Sequence, residues 1–94
     1  MIEWSKQAAR QLDQAYDYIA LSNSESIAKQ VISQIIKSVE RLAAFPMSGK
    51  VGRVSGTREL VIPDTPFVVV YTKQKNQIVI LAIYHGAQQW PDAF

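Results

Sequence analysis

The stretch that decides the fold is FVVVYTKQKNQIVILAIYHG, residues 67–86. Its first five residues are β-branched or aromatic, which favours a strand. Residues 73–77 are polar and predict a hairpin turn, and residues 78–84 predict the strand that follows it. Residues 57–62 predict one more strand before this hairpin, so the C-terminal half forms a three-stranded antiparallel meander.

The last two predicted strands are apolar on both faces. All six side chains of residues 78–83 are apolar, although strict alternation sends three of them to each face of the sheet. An antiparallel sheet with one covered face normally alternates apolar and polar residues. A helix pair covers one face only. The second face must therefore be covered by loops and the chain's own tail, in which Trp90 and Phe94 could fold back over it, or by a second chain.

Helical periodicity dominates the N-terminal half. Apolar residues recur at helical spacing over residues 8–19 and again over residues 28–42. We expect the first helix to end near residue 21, where serine and asparagine interrupt the pattern. The second should end near residue 44, because the residue before a proline is displaced from helical geometry.

Short segments flank these helices. Residues 2–4 predict an opening strand, Ser5 is a predicted N-cap, and Ser24 or Asn23 is predicted to cap the second helix. The expected fold is therefore α+β, with an N-terminal helical hairpin packed on a small antiparallel β-sheet in the order β-α-α-β-β-β. We expect all 94 residues to form a single domain.

Composition excludes several classes of protein. The chain has no cysteine and one histidine, which rules out a disulfide scaffold, a thiolate metal site and a histidine-rich metal site. An apolar content of 48% argues against disorder. Its glycines lack the spacing of a phosphate-binding loop. We therefore expect no cofactor, and with neither a secretory signal nor an apolar run of membrane length, a cytoplasmic protein.

Positive charge is concentrated in the second half. Residues 50–75 carry five basic and two acidic side chains, a net charge of +3, against +2 for the whole chain. Residues 49–53 are predicted to form a flexible basic loop. This charge permits an acidic or polyanionic partner, or it belongs to an ordinary solvated loop and hairpin. The basic residues are Lys50, Arg53, Arg58, Lys73 and Lys75.

Three side chains are candidates for chemistry. His85 follows a strand, and histidine can act as a general acid or base near neutral pH or can simply hydrogen-bond to the backbone. Arg58 and Glu59 are neighbours on a strand and so project to opposite faces. Arg58 is a candidate for binding a phosphate or an acidic side chain. Alternatively, it is an ordinary arginine at the edge of the sheet that pairs with Asp64 or with nothing. Glu59 is a candidate base, although the sequence shows nothing that would raise its pKa.

Taken in order, several motifs give the chain a family resemblance. The chain resembles the RelE/ParE superfamily of toxins from type II toxin–antitoxin systems, and the likeness covers nearly all of it. The motifs are IEWS at 2–5, YI at 18–19, LAAFP at 42–46, GKVGR at 49–53, GTRELV at 56–61, FVVVY at 67–71 and ILAIYHGAQQWP at 80–91.

The resemblance implies one of two activities. RelE-like members cut messenger RNA on the ribosome, and ParE-like members poison DNA gyrase. The cutters carry basic residues where this chain has Val68, Gly86 and Ala87, and a C-terminal tyrosine where it has Trp90. Losing those cations would weaken the stabilisation of a phosphorane-like transition state. The chain is therefore more similar to the ParE branch, which implies inhibition of gyrase by binding rather than by turnover.

The resemblance also implies a partner and its contacts. The partner is an antitoxin whose C-terminal segment is disordered alone and wraps the toxin. The residues that would bind the target or the antitoxin are Lys50, Arg53, Arg58, Lys73 and Trp90. The alternative activity, ribosome-dependent cleavage of messenger RNA, would use His85, Arg58 and Glu59.

Overall fold

The computed structural model describes residues 1–86, which form one sheet and a helical hairpin. Trp90 and Phe94 lie outside the described residues, so the choice between the tail and a second chain as cover for the second face stays a prediction. The elements in chain order are β1 Ile2–Trp4, α1 Lys6–Ser22, α2 Glu25–Glu40, β2 Lys50–Val51, β3 Arg58–Val61, β4 Phe67–Gln74 and β5 Gln77–His85. The predicted α+β class, helical hairpin and C-terminal meander are confirmed.

The sheet is mixed and has five strands in the order β1-β5-β4-β3-β2. Strands β2 to β5 are antiparallel to their neighbours, and β1 lies parallel to β5. Backbone bonds of 2.9 Å, from Ile78 to the Met1 carbonyl and from Ser5 to the Ile80 carbonyl, hold β1 in place. Two parallel strands require a long connection between them. Here residues 5–76, which contain both helices and strands β2 to β4, connect β1 to β5.

Serine caps begin both helices, as predicted. The hydroxyl oxygens of Ser5 and Ser24 accept hydrogen bonds of 3.0 and 3.1 Å from the backbone N–H three residues further on. Helix α1 ends close to the predicted residue 21. Helix α2 ends at Glu40 rather than near residue 44, because residues 41–43 tighten into a 3₁₀ turn ahead of the proline.

A β-bulge interrupts the pairing of β4 with β5. Tyr71 lies opposite Ile80 and Val70 lies opposite Ala82, so Leu81 is an extra residue on β5. A bulge of this kind reverses the inward and outward alternation for every residue beyond it.

The bulge moves two residues of β5 to faces that strict alternation does not predict. Ala82 packs with Val70 and Tyr84 in a small buried cluster on the second face. Ile83 instead joins the core beneath the helices. The expected placement of Ala82 and Ile83 was therefore wrong, because one inserted residue breaks the period of two.

The main core lies between the helical hairpin and the sheet. Apolar residues of both helices meet β3, β4 and β5 there. Its fully buried members include Ile35, Val39, Leu42, Ile62, Val69 and Ile80.

Tyr71 links this core to the turn that precedes β2. Its hydroxyl donates to the Pro46 carbonyl at 2.8 Å and accepts from the Gly49 N–H at 3.0 Å. A Cβ at residue 49 would lie 2.7 Å from the Tyr71 ring, so glycine is required for this close approach. The tyrosine therefore holds residues 46–49 against the sheet.

Replacing Tyr71 with phenylalanine is expected to lower the free energy of unfolding by about 2 kcal/mol, because it leaves a buried N–H and a carbonyl unpaired. Urea denaturation at neutral pH measures the effect. The matched control is Tyr18→Phe, since the Tyr18 side chain is 67% exposed. Equal unfolding midpoints for the two variants would contradict the role of the hydroxyl.

Candidate interaction site around the basic loop

The basic loop is anchored by a buried carboxylate. Glu59 lies on β3 with its side chain 3% exposed, beside an Arg53 side chain that is 51% exposed. One Glu59 oxygen accepts from the Arg53 backbone N–H at 2.7 Å and from Nε at 3.2 Å, and the other lies 3.4 Å from Nη2. A charge buried to this extent is stable only when it is paired and hydrogen-bonded.

These contacts decide the charge of Glu59. Burial by itself raises the pKa of this carboxyl, but the Arg53 backbone N–H and guanidinium, together with the Lys50 charge, outweigh burial and hold the pKa below its ordinary value. Glu59 is therefore an anion at neutral pH and a weak proton acceptor. The arrangement suits a structural anchor better than a general base.

The turn after β2 is ordered by its own hydrogen bonds. The Gly52 N–H donates to the Thr57 carbonyl at 2.8 Å, and the Thr57 hydroxyl donates to the Val54 carbonyl at 2.6 Å. Gly56 has a φ of 80°, in the left-handed region that glycine adopts easily, and its carbonyl accepts from the Thr72 hydroxyl. The prediction of a flexible loop at residues 49–53 was wrong, since part of it is β2 and the rest is tied to β3.

Arg58 projects to the face opposite Glu59, as adjacent strand residues must. Its guanidinium donates to the Gly49 carbonyl at 2.7 Å, which adds a second tie to the turn that Tyr71 holds. The structure gives it a backbone carbonyl rather than the Asp64 carboxylate as its partner.

The predicted binding cations do not form one continuous patch. Lys50 lies opposite Glu59 in the β2–β3 ladder, so Lys50 and Arg53 meet around the same carboxylate. Lys73 lies at the far end of β4, beside the hairpin turn. Trp90 is outside the described residues. The structure therefore brings Lys50 and Arg53 together and leaves Arg58 and Lys73 apart from them.

The three candidate nuclease residues are also separated. His85 pairs with Phe67 at one end of β4, and Arg58 pairs with Tyr71. Four residues of strand span about 13 Å, and β4 lies between β3 and β5. His85 therefore does not share a site with Arg58 and Glu59.

His85 borders a cleft that the sequence did not reveal. Its ring meets the Phe67 ring edge to face, with centroids 5.7 Å apart. The cleft has a volume of about 410 Å³ and lies between α1 and the sheet. Gln11, on its wall, accepts a 2.8 Å hydrogen bond from the Ile83 N–H. No local pattern signals this cleft, because α1 and β5 are brought together only by the tertiary fold.

Residues 1–86 contain no group of three or more histidine, aspartate or glutamate side chains placed to hold a metal ion. Neither helix in this part of the chain is long and apolar enough to cross a membrane.

Comparison with known proteins defines the class of this chain. Residues 2–90 match the family model described as "ParE toxin of type II toxin-antitoxin system, parDE". The chain therefore belongs to the ParE toxin family of type II toxin–antitoxin systems. This confirms the resemblance to the RelE/ParE superfamily and to its ParE branch.

Individual relatives agree with the family assignment. The chain is 38% identical over 90 residues to "Putative toxin Y4kP" of Sinorhizobium fredii (strain NBRC 101917 / NGR234). The matched region covers 96% of this chain and 92% of that protein. A solved structure titled "Chromosomal ParDE TA system from P. aeruginosa" is similar with a TM-score of 0.82 and 27% identity, covering 89% of this chain and 92% of that one. Protein HP0894 from Helicobacter pylori shares the fold, at a TM-score of 0.50 and 18% identity over 87% of this chain and 89% of the other.

Proposed function

We propose that this toxin inhibits DNA gyrase by binding to it, and that an antitoxin neutralises it. Membership of the ParE family supports both parts of the proposal. The observation that favours binding over turnover is the separation of His85 from Arg58 and Glu59, which leaves no assembled acid–base site among these candidates.

The basic loop is the proposed contact with gyrase. Lys50 is exposed and Arg53 is half-exposed, and the buried Glu59 holds the backbone that carries them. A loop held in one conformation loses less conformational entropy on binding than a flexible one does. Clustered cations also speed association with an acidic surface. The C-terminal tail, with Trp90, is the second proposed contact.

The antitoxin is proposed to wrap the toxin with a C-terminal segment that is disordered alone. The cleft of about 410 Å³ between α1 and the sheet suits apolar antitoxin side chains, because Ala15, Phe67 and Ile83 line it. Burying apolar surface there would offset the entropy that the segment loses on ordering.

Purified toxin is expected to block supercoiling by gyrase, and Lys50→Ala is expected to weaken this inhibition by up to about fivefold. One exposed ion pair contributes up to about 1 kcal/mol, which is about fivefold in affinity. The assay titrates toxin against gyrase on relaxed plasmid. Lys6→Ala, a loss of charge at the start of α1 away from the loop, is the matched control and should inhibit like wild type.

Two results would contradict this function. Normal supercoiling at excess toxin, with growth inhibition intact, would exclude gyrase as the target. Discrete cuts in translated messages, detected by primer extension and lost together with toxicity in His85→Ala, would instead support ribosome-dependent cleavage.

A further inference from the structure

A groove on the exposed side of α2 belongs to none of the sites described above. It has a volume of about 390 Å³ and is bounded by α2 and, through Tyr16, by α1. It shares no lining residue with the cleft beneath α1 or with the basic loop. The α2 residues that line it are Lys29, Ile32, Ser33, Ile36, Lys37 and Glu40.

Four of these residues form a single stripe along α2. The stripe consists of Lys29, Ser33, Ile36 and Glu40. Separations of four, three and four residues place them on one side of the helix, and this is the spacing of a coiled-coil seam. The stripe differs from the side of α2 that buries Ile35 in the core, since Ile36 is 37% exposed and both charged residues are exposed. Helix α2 therefore presents a second, partly apolar face to solvent.

The stripe is complementary to itself when two copies of α2 lie antiparallel. A two-fold axis that passes between residues 34 and 35 places Lys29 of one copy opposite Glu40 of the other. The same axis places Ser33 opposite Ile36, so a small residue faces each isoleucine at the centre. Each contact occurs twice, which gives an ion pair at both ends of a seam about 17 Å long.

The residues beside the stripe fit the same register. Ile32 lies opposite Lys37 of the second copy, whose aliphatic stem covers the isoleucine while its ammonium group stays in water. Neither Lys29 nor Glu40 forms an ion pair within residues 1–86, so both charges are available to a second chain.

Other arrangements of the two helices leave these charges unpaired or opposed. Sliding one helix by a turn in one direction brings Glu40 opposite Glu25 of the other copy. A turn in the other direction brings Glu40 opposite Ser33 and leaves Lys29 facing a residue beyond the end of α2. Parallel helices in register would oppose two lysines and two glutamates. The antiparallel register centred between residues 34 and 35 is the one that pairs both charges.

We propose that two copies of the toxin dimerise through α2 in this antiparallel register, with an ion pair between Lys29 and Glu40 at each end of the seam. A two-fold interface requires a patch that is complementary to itself, and the stripe meets that requirement. An acidic partner chain fits the groove less well, because Glu40 would repel it. The dimer uses no residue of the basic loop or of the cleft beneath α1, so it rests on neither the gyrase contact nor the antitoxin contact proposed above.

The size of the contact sets the expected affinity. A standard protein interface buries about 1,600 Å², and a seam of three helical turns is smaller. We therefore expect a weak dimer, with a Kd on the order of 100 µM. In dilute solution the toxin is then monomeric.

Analytical ultracentrifugation of the full-length toxin, over a concentration series that spans the expected Kd, tests the proposal. Lys29→Glu and Glu40→Lys are each expected to raise the dimer Kd at least about tenfold, because each replaces two ion pairs with two like-charge contacts. The double variant that carries both substitutions restores opposite charges across the seam, and its Kd is expected to lie within about threefold of wild type. Lys75→Glu makes the same change of net charge in the β4–β5 turn and should dimerise like wild type.

Each result supports the proposal or overturns it. Dimerisation that is lost in both single variants and recovered in the double variant supports the register, because exchanging two charges does not restore non-specific association. A toxin that stays monomeric throughout the series overturns the proposal. So does a dimer whose Kd the single variants leave unchanged, or one that the double variant fails to recover.

The variants are expected to fold, since a glutamate near the start of α2 and a lysine at its end both suit the helix dipole. If a variant does not fold, amide chemical shifts of the wild-type toxin decide instead. Shifts at Ser33 and Ile36 that change as the toxin concentration rises support the dimer. Shifts there that change only when the cognate antitoxin is added assign the groove to the antitoxin and overturn the proposal, as does an absence of any change at these residues.

Discussion

Replacing Glu59 with alanine is expected to lower the free energy of unfolding by about 2–3 kcal/mol. The substitution removes three hydrogen bonds from Arg53 to a buried anion. Breaking a fully buried ion pair costs about 3–5 kcal/mol, but Arg53 is half-exposed and can return its charge to water, so the expected loss is smaller. Urea denaturation at neutral pH measures the change.

The matched control is Glu40→Ala, which removes an exposed carboxylate at the end of α2. It should change the free energy of unfolding by less than about 0.5 kcal/mol. Similar destabilisation by both substitutions would mean that Glu59 does not anchor the loop.

The dependence of stability on pH provides a second test of the same anchor. The pKa of Glu59 is lowered in the fold, below its ordinary value of 4.5. Its stabilising contribution is therefore complete above the unfolded value and is lost as the pH falls through the folded pKa. Wild type should lose more stability on acidification from neutral pH than Glu59→Gln, and parallel pH profiles would contradict the assignment.

Replacing Ile35 with alanine is expected to lower the free energy of unfolding by about 3–4 kcal/mol. Ile35, on α2, is fully buried in the main core. Truncating a buried isoleucine to alanine removes apolar burial and leaves a cavity, at a cost of about 2–5 kcal/mol. For a domain of this size that is a large part of the total stability.

The neighbouring residue supplies the control. Ile36 is the same residue type on the same helix but is 37% exposed, so Ile36→Ala should cost about 1 kcal/mol or less. Thermal and urea unfolding of both variants test the difference. Comparable losses for the two variants would mean that α2 is rotated about its axis, so that Ile36 is as buried in the core as Ile35.

Several parts of the fold were predictable because their causes are local. Ser5 and Ser24 cap helices through contacts three residues away, and the periodicity of α1 and α2 follows from which side chains each helix buries. The β-branched run of β4 likewise favours a strand whatever its neighbours are.

The candidate site was predictable only in its residue types. The basic residues of the loop were evident from the sequence, but the anchoring role of Glu59 depends on a bond to a residue six positions away across a turn. Arg58 was a candidate ligand by type, and only the position of the Gly49 carbonyl shows that it also supports the turn.

By itself, the sequence determined the α+β class, the helical hairpin and the C-terminal meander, since these follow from periodicity and from interactions within a few residues. Only the tertiary structure decided the parallel pairing of β1 with β5, the bulge that separates Ala82 from Ile83, and the burial of Glu59. The energies that settle those features come from contacts between segments far apart in the chain, which no short window of residues contains.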